Sequence, residues 1–267
     1  MHAKRWITAI VAVPILVYVI GPGPGWLFHG LLCATAILGL NEFYRMIRPE
    51  VAPTVRLLSM FLTAVLFLSL SLRWIILTPG IITLFAFVPL LQSLLRDMPP
   101  DEKHTSTAGC AILGPIYICL PLALIVLIDI QPRGHMWIFF LLVVVFATDT
   151  GAFYTGRTWG KHKLYESVSP NKTWEGAFGG FFAGTAAGVL FAAYTGIHPV
   201  NVALFIVTAL TGIAGQLGDL IESMLKRNHG VKDSGGLLPG HGGIIDRVDS
   251  LLGASPVMYL YLALFTL

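Results

Sequence analysis

The sequence predicts an all-α integral membrane protein, a polytopic helical bundle of about nine transmembrane helices, and three observations carry that expectation. Charged residues make up only 12% of the 267-residue chain while 55% are hydrophobic, against roughly 25% charged in a soluble domain. Apolar runs separated by polar or turn-rich breaks give nine candidate spans: 6–20, 26–43, 57–72, 74–95, 108–128, 136–155, 176–196, 200–221 and 250–267. Several approach the ~20 residues that a bilayer core requires, the first and third being short. Basic residues then divide by parity. With nine spans, all but Arg73 and Arg133 of the 17 Lys and Arg fall on the side of the N-terminus, which the positive-inside rule makes cytoplasmic. Removing one span scrambles this division.

Taken in order, Lys4 and Arg5 precede the first run as in a signal peptide. The following Gly21-Pro22-Gly23-Pro24-Gly25 offers no small-x-small cleavage site and reads as a tight external turn, so the first span is expected to be retained. Asn41 to Arg45, with Arg48, closes the second span as a short amphipathic piece in which Glu42 reads as an interfacial anchor rather than a catalytic group. Spans three to five hold few polar groups and read as scaffold. Pro14, Pro89, Pro115 and Pro121 lie in or near spans and predict kinks, whose freed carbonyls neighbouring helices can satisfy. Cys33, Cys110 and Cys119 are odd in number and lie in apolar runs, so apolar packing is expected rather than disulfides or a zinc set.

The second half differs. Residues 1–135 are expected to form an N-terminal transmembrane scaffold of spans one to five, and 136–267 a catalytic region of spans six to nine with loops at 156–175 and 222–247. Asp149 ends the sixth span at a depth similar to Asp219. An ionisable residue there is a functional candidate, with a structural ion pair as the equal alternative. Within 156–175, Lys161 and Lys163 suit attraction to lipid head groups, while Ser169-Pro170, Lys172-Thr173 and Glu175 resemble a helix start able to bind phosphate. The seventh span repeats glycine at Gly176, Gly180, Gly184 and Gly188, a stripe that admits the backbone of a neighbouring helix or of a second subunit.

The most polar stretch is Gly218 to Asp249. If the eighth helix continues, Asp219, Glu222, Ser223 and Lys226 share one face. Glycines and a proline from Gly230 to Gly243 then break the helix, and Gly240-His241-Gly242-Gly243 leads into another whose first turns carry Asp246, Asp249 and Ser250. Carboxylates on two rigid helix ends can share a hard cation such as Mg²⁺. Gly-loop amides, a helix N-terminus and Lys or Arg side chains can hold phosphate oxygens. The combination suggests metal-assisted phosphate chemistry.

At these residues the sequence resembles the phosphatidate cytidylyltransferases, or CDP-diacylglycerol synthases. Their signature S-x-x-K-R, K-D, P-x-H-G-G, D-R-x-D is met by Ser223, Lys226, Arg227, Lys232, Asp233, Pro239, His241, Gly242, Gly243, Asp246, Arg247 and Asp249. The cluster from Asp149 to Gly176 resembles the family's second shared region, so the motifs cover about residues 149 to 249.

The resemblance implies an all-helical homodimer with nine spans per chain. It also implies the conversion of CTP and phosphatidic acid to CDP-diacylglycerol and pyrophosphate at the inner membrane surface, with Mg²⁺ alone or with a second cation. On this basis Asp219 and Asp246 are assigned to metal, with Asp249 as a third or outer ligand. Lys172, Lys226, Arg227, Lys232 and Arg247 are assigned to phosphates, and Ser223 to orienting a metal-bound water or Lys226. His241 is expected to hydrogen-bond phosphate or backbone rather than ligate metal. Gly242, Gly243 and Asp149 are placed at the substrate. No nucleic-acid partner is expected, since the basic residues behind the net charge of +3 gather on the membrane face. Two other expectations compete: a related CTP-using lipid enzyme (a polyprenol kinase or an ether-lipid cytidylyltransferase), and a transporter with a coupling ion at Asp149, Asp219 and Asp246. The transporter lacks an internal repeat and a midplane site.

Overall fold

A computed structural model describes residues 13–48, 50–95, 102–236 and 242–265. Residues 13–20 are helical, and the rest of the expected first span lies outside the described residues. The chain continues through α1 (Gly25–Ile47), α2 (Pro53–Ser71), α3 (Thr78–Leu95), α4 (Glu102–Gly114), a π-helical turn (Pro115–Cys119), α5 (Leu120–Asp129) and α6 (Gly134–Trp159). A two-stranded hairpin follows, β1 (Lys163–Tyr165) and β2 (Ser169–Thr173), and then α7 (Trp174–Thr195), α8 (Val202–Asn228) and α9 (Ile245–Phe265). With α4, the π turn and α5 taken as one run, Glu102–Asp129, eight helices among the described residues are long and apolar enough to cross a membrane. They match the second to ninth expected spans, and a multi-pass all-α membrane protein is the result.

Helix ends depart from the apolar runs in an informative direction. The sixth helix extends to Trp159 and the eighth to Asn228, and the ninth begins at Ile245, because a helix does not end where its side chains turn polar. Expected loops 156–175 and 222–247 are therefore partly helix, and the first contains the hairpin. Pro115 opens the π turn, Pro121 lies just after it and Pro89 lies inside α3, in keeping with the loss of an N–H donor at each.

Small residues set the distances in the second half. The most extensive helix pair is α6 with α7, where Gly176 and Gly180 face Ala152 and Gly184 faces Val144 and Thr148. The glycine stripe is thus covered by a helix of the same chain. Helices α8 and α9 meet as closely: a Cβ on Gly218 would lie 3.0 Å from the backbone N of Gly253. This contact is what brings Asp219, the next residue on α8, beside Asp249 on α9. In the first half, Phe43 and Tyr44 of α1 are fully buried, and Tyr44 Oη donates to the Ala111 carbonyl at 2.8 Å.

Candidate functional site

Beyond α6 the chain must turn at once, and it does so through a hairpin whose base is fastened by Glu175. That carboxylate accepts from the N–H of Lys161 at 3.1 Å and lies 2.6 Å from His162 Nδ1. Lys163 pairs with Thr173 in an antiparallel register with a bulge before Tyr165, and Lys163 Nζ donates to the Pro170 carbonyl at 2.5 Å. Thr173 then caps α7, its Oγ1 accepting from Gly176 N–H at 3.1 Å. The hairpin and the α7 N-terminus are therefore one rigid corner.

This corner closes one side of a cleft of about 880 Å³ whose other walls are α6, α8 and α9. Asp149, Asp219, Asp246 and Asp249 all line it, with Lys172, Lys163 and Arg157 as cations and Asn171, Gln216 and Ser250 as neutral polar groups. Cations and carboxylates interlock. Lys172 Nζ lies 2.9 Å from Asp219 Oδ2, and Ser223 Oγ lies 3.4 Å from Asp219 Oδ1. Lys226 pairs with Glu222 one turn earlier on α8 and lies 2.7 Å from Asp246 Oδ1. Asp246 Oδ2 accepts from Gly243 N–H at 2.7 Å and from both N–H and Oγ of Ser234 at 3.1 Å. Asp149 is joined to α9 through Ser250 Oγ, 3.4 Å from its Oδ2. The expected common face of Asp219, Glu222, Ser223 and Lys226 is present, and it is knitted to α9.

Asp149, Lys172, Asp219, Asp246 and Asp249 are thus brought to one cleft, while Ser223 and Lys226 stand one layer behind it. Arg227 is tied to the carbonyls of Val168 at 3.3 Å and Val231 at 3.0 Å, and it organises the loops rather than lining the cleft. Lys232 and Arg247 are exposed and do not line it either. Gly242 has φ +77, the left-handed backbone that glycine adopts without strain, and Gly243 offers its N–H to Asp246. His241 lies outside the described residues.

Lys163, expected only to attract head groups, lines the cleft, as do Arg157, Asn171 and Gln216. Glu42 departs furthest from expectation: it is 6% exposed and not an interfacial anchor. Its Oε2 accepts from Ile244 N–H at 2.7 Å.

Among the described residues no three of His, Cys, Asp and Glu are grouped closely enough to hold one metal ion. Of the expected trio, Asp219 is paired with Lys172 and Asp246 with Lys226. The donor chemistry still suits a hard cation. Carboxylate oxygens from two helices border one cleft, and each oxygen of an ionised carboxylate accepts more than one partner.

Comparison with known proteins accords with this architecture. The Cytidylyltransferase family model matches residues 3–265. A phosphatidate cytidylyltransferase of Bacillus subtilis is 34% identical, with 98% of each chain covered. One of Brucella suis is 47% identical over 51% of this chain and 50% of its own, and one of Staphylococcus epidermidis is 44% identical over 50% and 52%. The chain belongs to the cytidylyltransferase family.

Proposed function

We propose that this chain is a Mg²⁺-dependent phosphatidate cytidylyltransferase, joining CTP and phosphatidic acid to give CDP-diacylglycerol and pyrophosphate. The observation that carries this is the meeting of four aspartates with Lys172, Lys163 and Arg157 in a single cleft at one end of the bundle. Such a mixture suits a reaction that brings two anions together and releases a third. An oxygen of the lipid phosphate forms a bond to the α-phosphorus of CTP as the α–β phosphoanhydride bond breaks, and pyrophosphate leaves. The lipid phosphate is already anionic, so no strong base is required of the protein.

The residues divide the work by charge and rigidity. Lys172, Lys163 and Arg157 hold phosphate oxygens and offset charge on the departing pyrophosphate. Lys172 has three N–H donors and Asp219 occupies one. The α7 N-terminus, capped by Thr173, offers a further anion-favouring end. Asp219 and Asp246 would hold Mg²⁺, with Asp249 beside them, and the ion would screen the repulsion between the substrate phosphates. Lys226 keeps Asp246 oriented. A cleft facing the cytoplasm, where CTP is found, agrees with the division of basic residues. A homodimer is part of the same proposal through the family resemblance.

The test is pyrophosphate release by the purified chain with Mg²⁺. Release is expected only when CTP and phosphatidic acid are both present. Formation of CDP with a polyprenol in place of phosphatidic acid, or no pyrophosphate from the complete mixture, would count against the proposal.

A further inference from the structure

Glu42 sits near the end of α1, in the half of the chain expected to be scaffold, and is 6% exposed. A carboxylate buried that deeply is costly unless several donors satisfy it. Its Oε2 accepts from the N–H of Ile244 at 2.7 Å, from the N–H of Ile245 at 3.2 Å and from Ser234 Oγ at 3.3 Å. Ile244 and Ile245 stand at the start of α9, where unpaired N–H groups favour an anion. The anion comes here from a helix some 200 residues away.

The position of these donors matters. Ser234 precedes the glycine-rich segment and Ile244 follows it, so one carboxylate oxygen ties Ser234 to the start of α9. Glycine is needed on both flanks: a Cβ at Gly235 would lie 2.6 Å from Glu42 Oε1, and one at Gly243 would lie 2.5 Å from Oε2. Ser234 also serves Asp246, whose Oδ2 lies 3.1 Å from the Ser234 N–H nitrogen and 3.1 Å from its Oγ. A hydroxyl has one hydrogen, so Ser234 Oγ shares it between Glu42 and Asp246. On the other side of Asp246, Oδ1 is 2.7 Å from Lys226 Nζ. A continuous line of bonds thus runs from Glu42 through Ser234 and the α9 start to Asp246 and Lys226.

We propose that Glu42 is a positioning residue for cytidylyl transfer, a clamp fastening Ser234 to the start of α9 so that Asp246 keeps its place in the cleft. It acts through Asp246 and touches no substrate. This rests on the cleft being the reaction site, but the clamp itself can be measured without turnover.

The experiment uses the full chain purified in detergent, as wild type, Glu42→Ala and Glu42→Gln. Hydrogen exchange is followed along the chain, and kcat and KM are measured for CTP with phosphatidic acid. Glu42→Ala is expected to lower kcat/KM at least tenfold, mainly through kcat. It should also speed exchange at Ile244 and Ile245 while α6 and α7 keep their protection. Glu42→Gln retains an acceptor oxygen and is expected to recover part of both. Unchanged exchange at Ile244 and Ile245 in Glu42→Ala overturns the clamp. Faster exchange spread evenly over the chain also overturns it, since Glu42 is then a general stability residue. Faster exchange at Ile244 and Ile245 with undiminished turnover overturns the link to Asp246. A wild-type chain without cytidylyl transfer sinks the reaction assignment, and the exchange result still decides the clamp.

Discussion

Lys172 Nζ stands 2.9 Å from Asp219 Oδ2, joining the hairpin after α6 to the first residue of the polar face of α8. The pair is partly exposed, at 26% and 33%, so it contributes little to stability. Its significance is positional, since it holds a cation and a carboxylate against each other at the wall of the cleft. Lys172→Met keeps the length of the side chain and removes the charge. It is expected to lower kcat about 10²-fold, the scale set by loss of one charge-stabilising donor, with the melting temperature nearly unchanged. Steady-state kinetics beside a thermal melt checks this, and a large fall in melting temperature would mean that the pair is structural.

Asp219→Asn and Asp246→Asn each remove one charge while keeping size. Each is expected to remove most turnover and to raise the Mg²⁺ concentration needed for half-maximal rate. Because the two act as one unit, the double variant should be barely worse than either single one. Near wild-type rates at limiting Mg²⁺ in both single variants would transfer the metal assignment to Asp149 and Asp249.

The glycine stripe of α7 makes a prediction about folding rather than chemistry. A Cβ at Gly184 would already lie 3.1 Å from the Val144 carbonyl, so Gly184→Leu must push α6 and α7 apart. Overpacking of this kind costs about 1–3 kcal/mol, and a lower melting temperature or loss of assembly in detergent is expected. A fully stable variant with altered CTP affinity would contradict a packing role.

The membrane fold was legible because span length and apolar composition are local properties of the chain. So was the face of Asp219, Glu222, Ser223 and Lys226, since a helix fixes which residues neighbour one another. Other features depend on partners distant in sequence. Nothing around Asn41 to Arg45 indicates that Glu42 reaches Ile244, because that contact is set by how α1 meets α9. The hairpin at 163–173 was illegible for a related reason: two strands so short are stable only against the helices they adjoin. Lys163 was therefore assigned to lipid rather than to the cleft. Lys232 and Arg247 show the converse limit, as a motif marks residues near a site without stating which of them line it.

The parity of basic residues predicts that the hairpin and the segment after α8 face the same compartment. Lys163→Cys and Lys232→Cys, each in a background without Cys33, Cys110 and Cys119, can be challenged with an impermeant thiol reagent. Both are expected to stay unlabelled in intact cells and to label after lysis. Labelling of either from outside would break the assigned topology.

The most direct test of the central claim follows the phosphorus of CTP. Purified chain, phosphatidic acid and Mg²⁺ are incubated with CTP labelled at the α- or at the γ-phosphate, and the chloroform-extractable lipid is counted. Cytidylyl transfer in the cleft predicts that α-label enters the lipid as CDP-diacylglycerol while γ-label leaves as pyrophosphate, with Asp246→Asn nearly abolishing both. Recovery of γ-label in the lipid would contradict the account and identify a kinase.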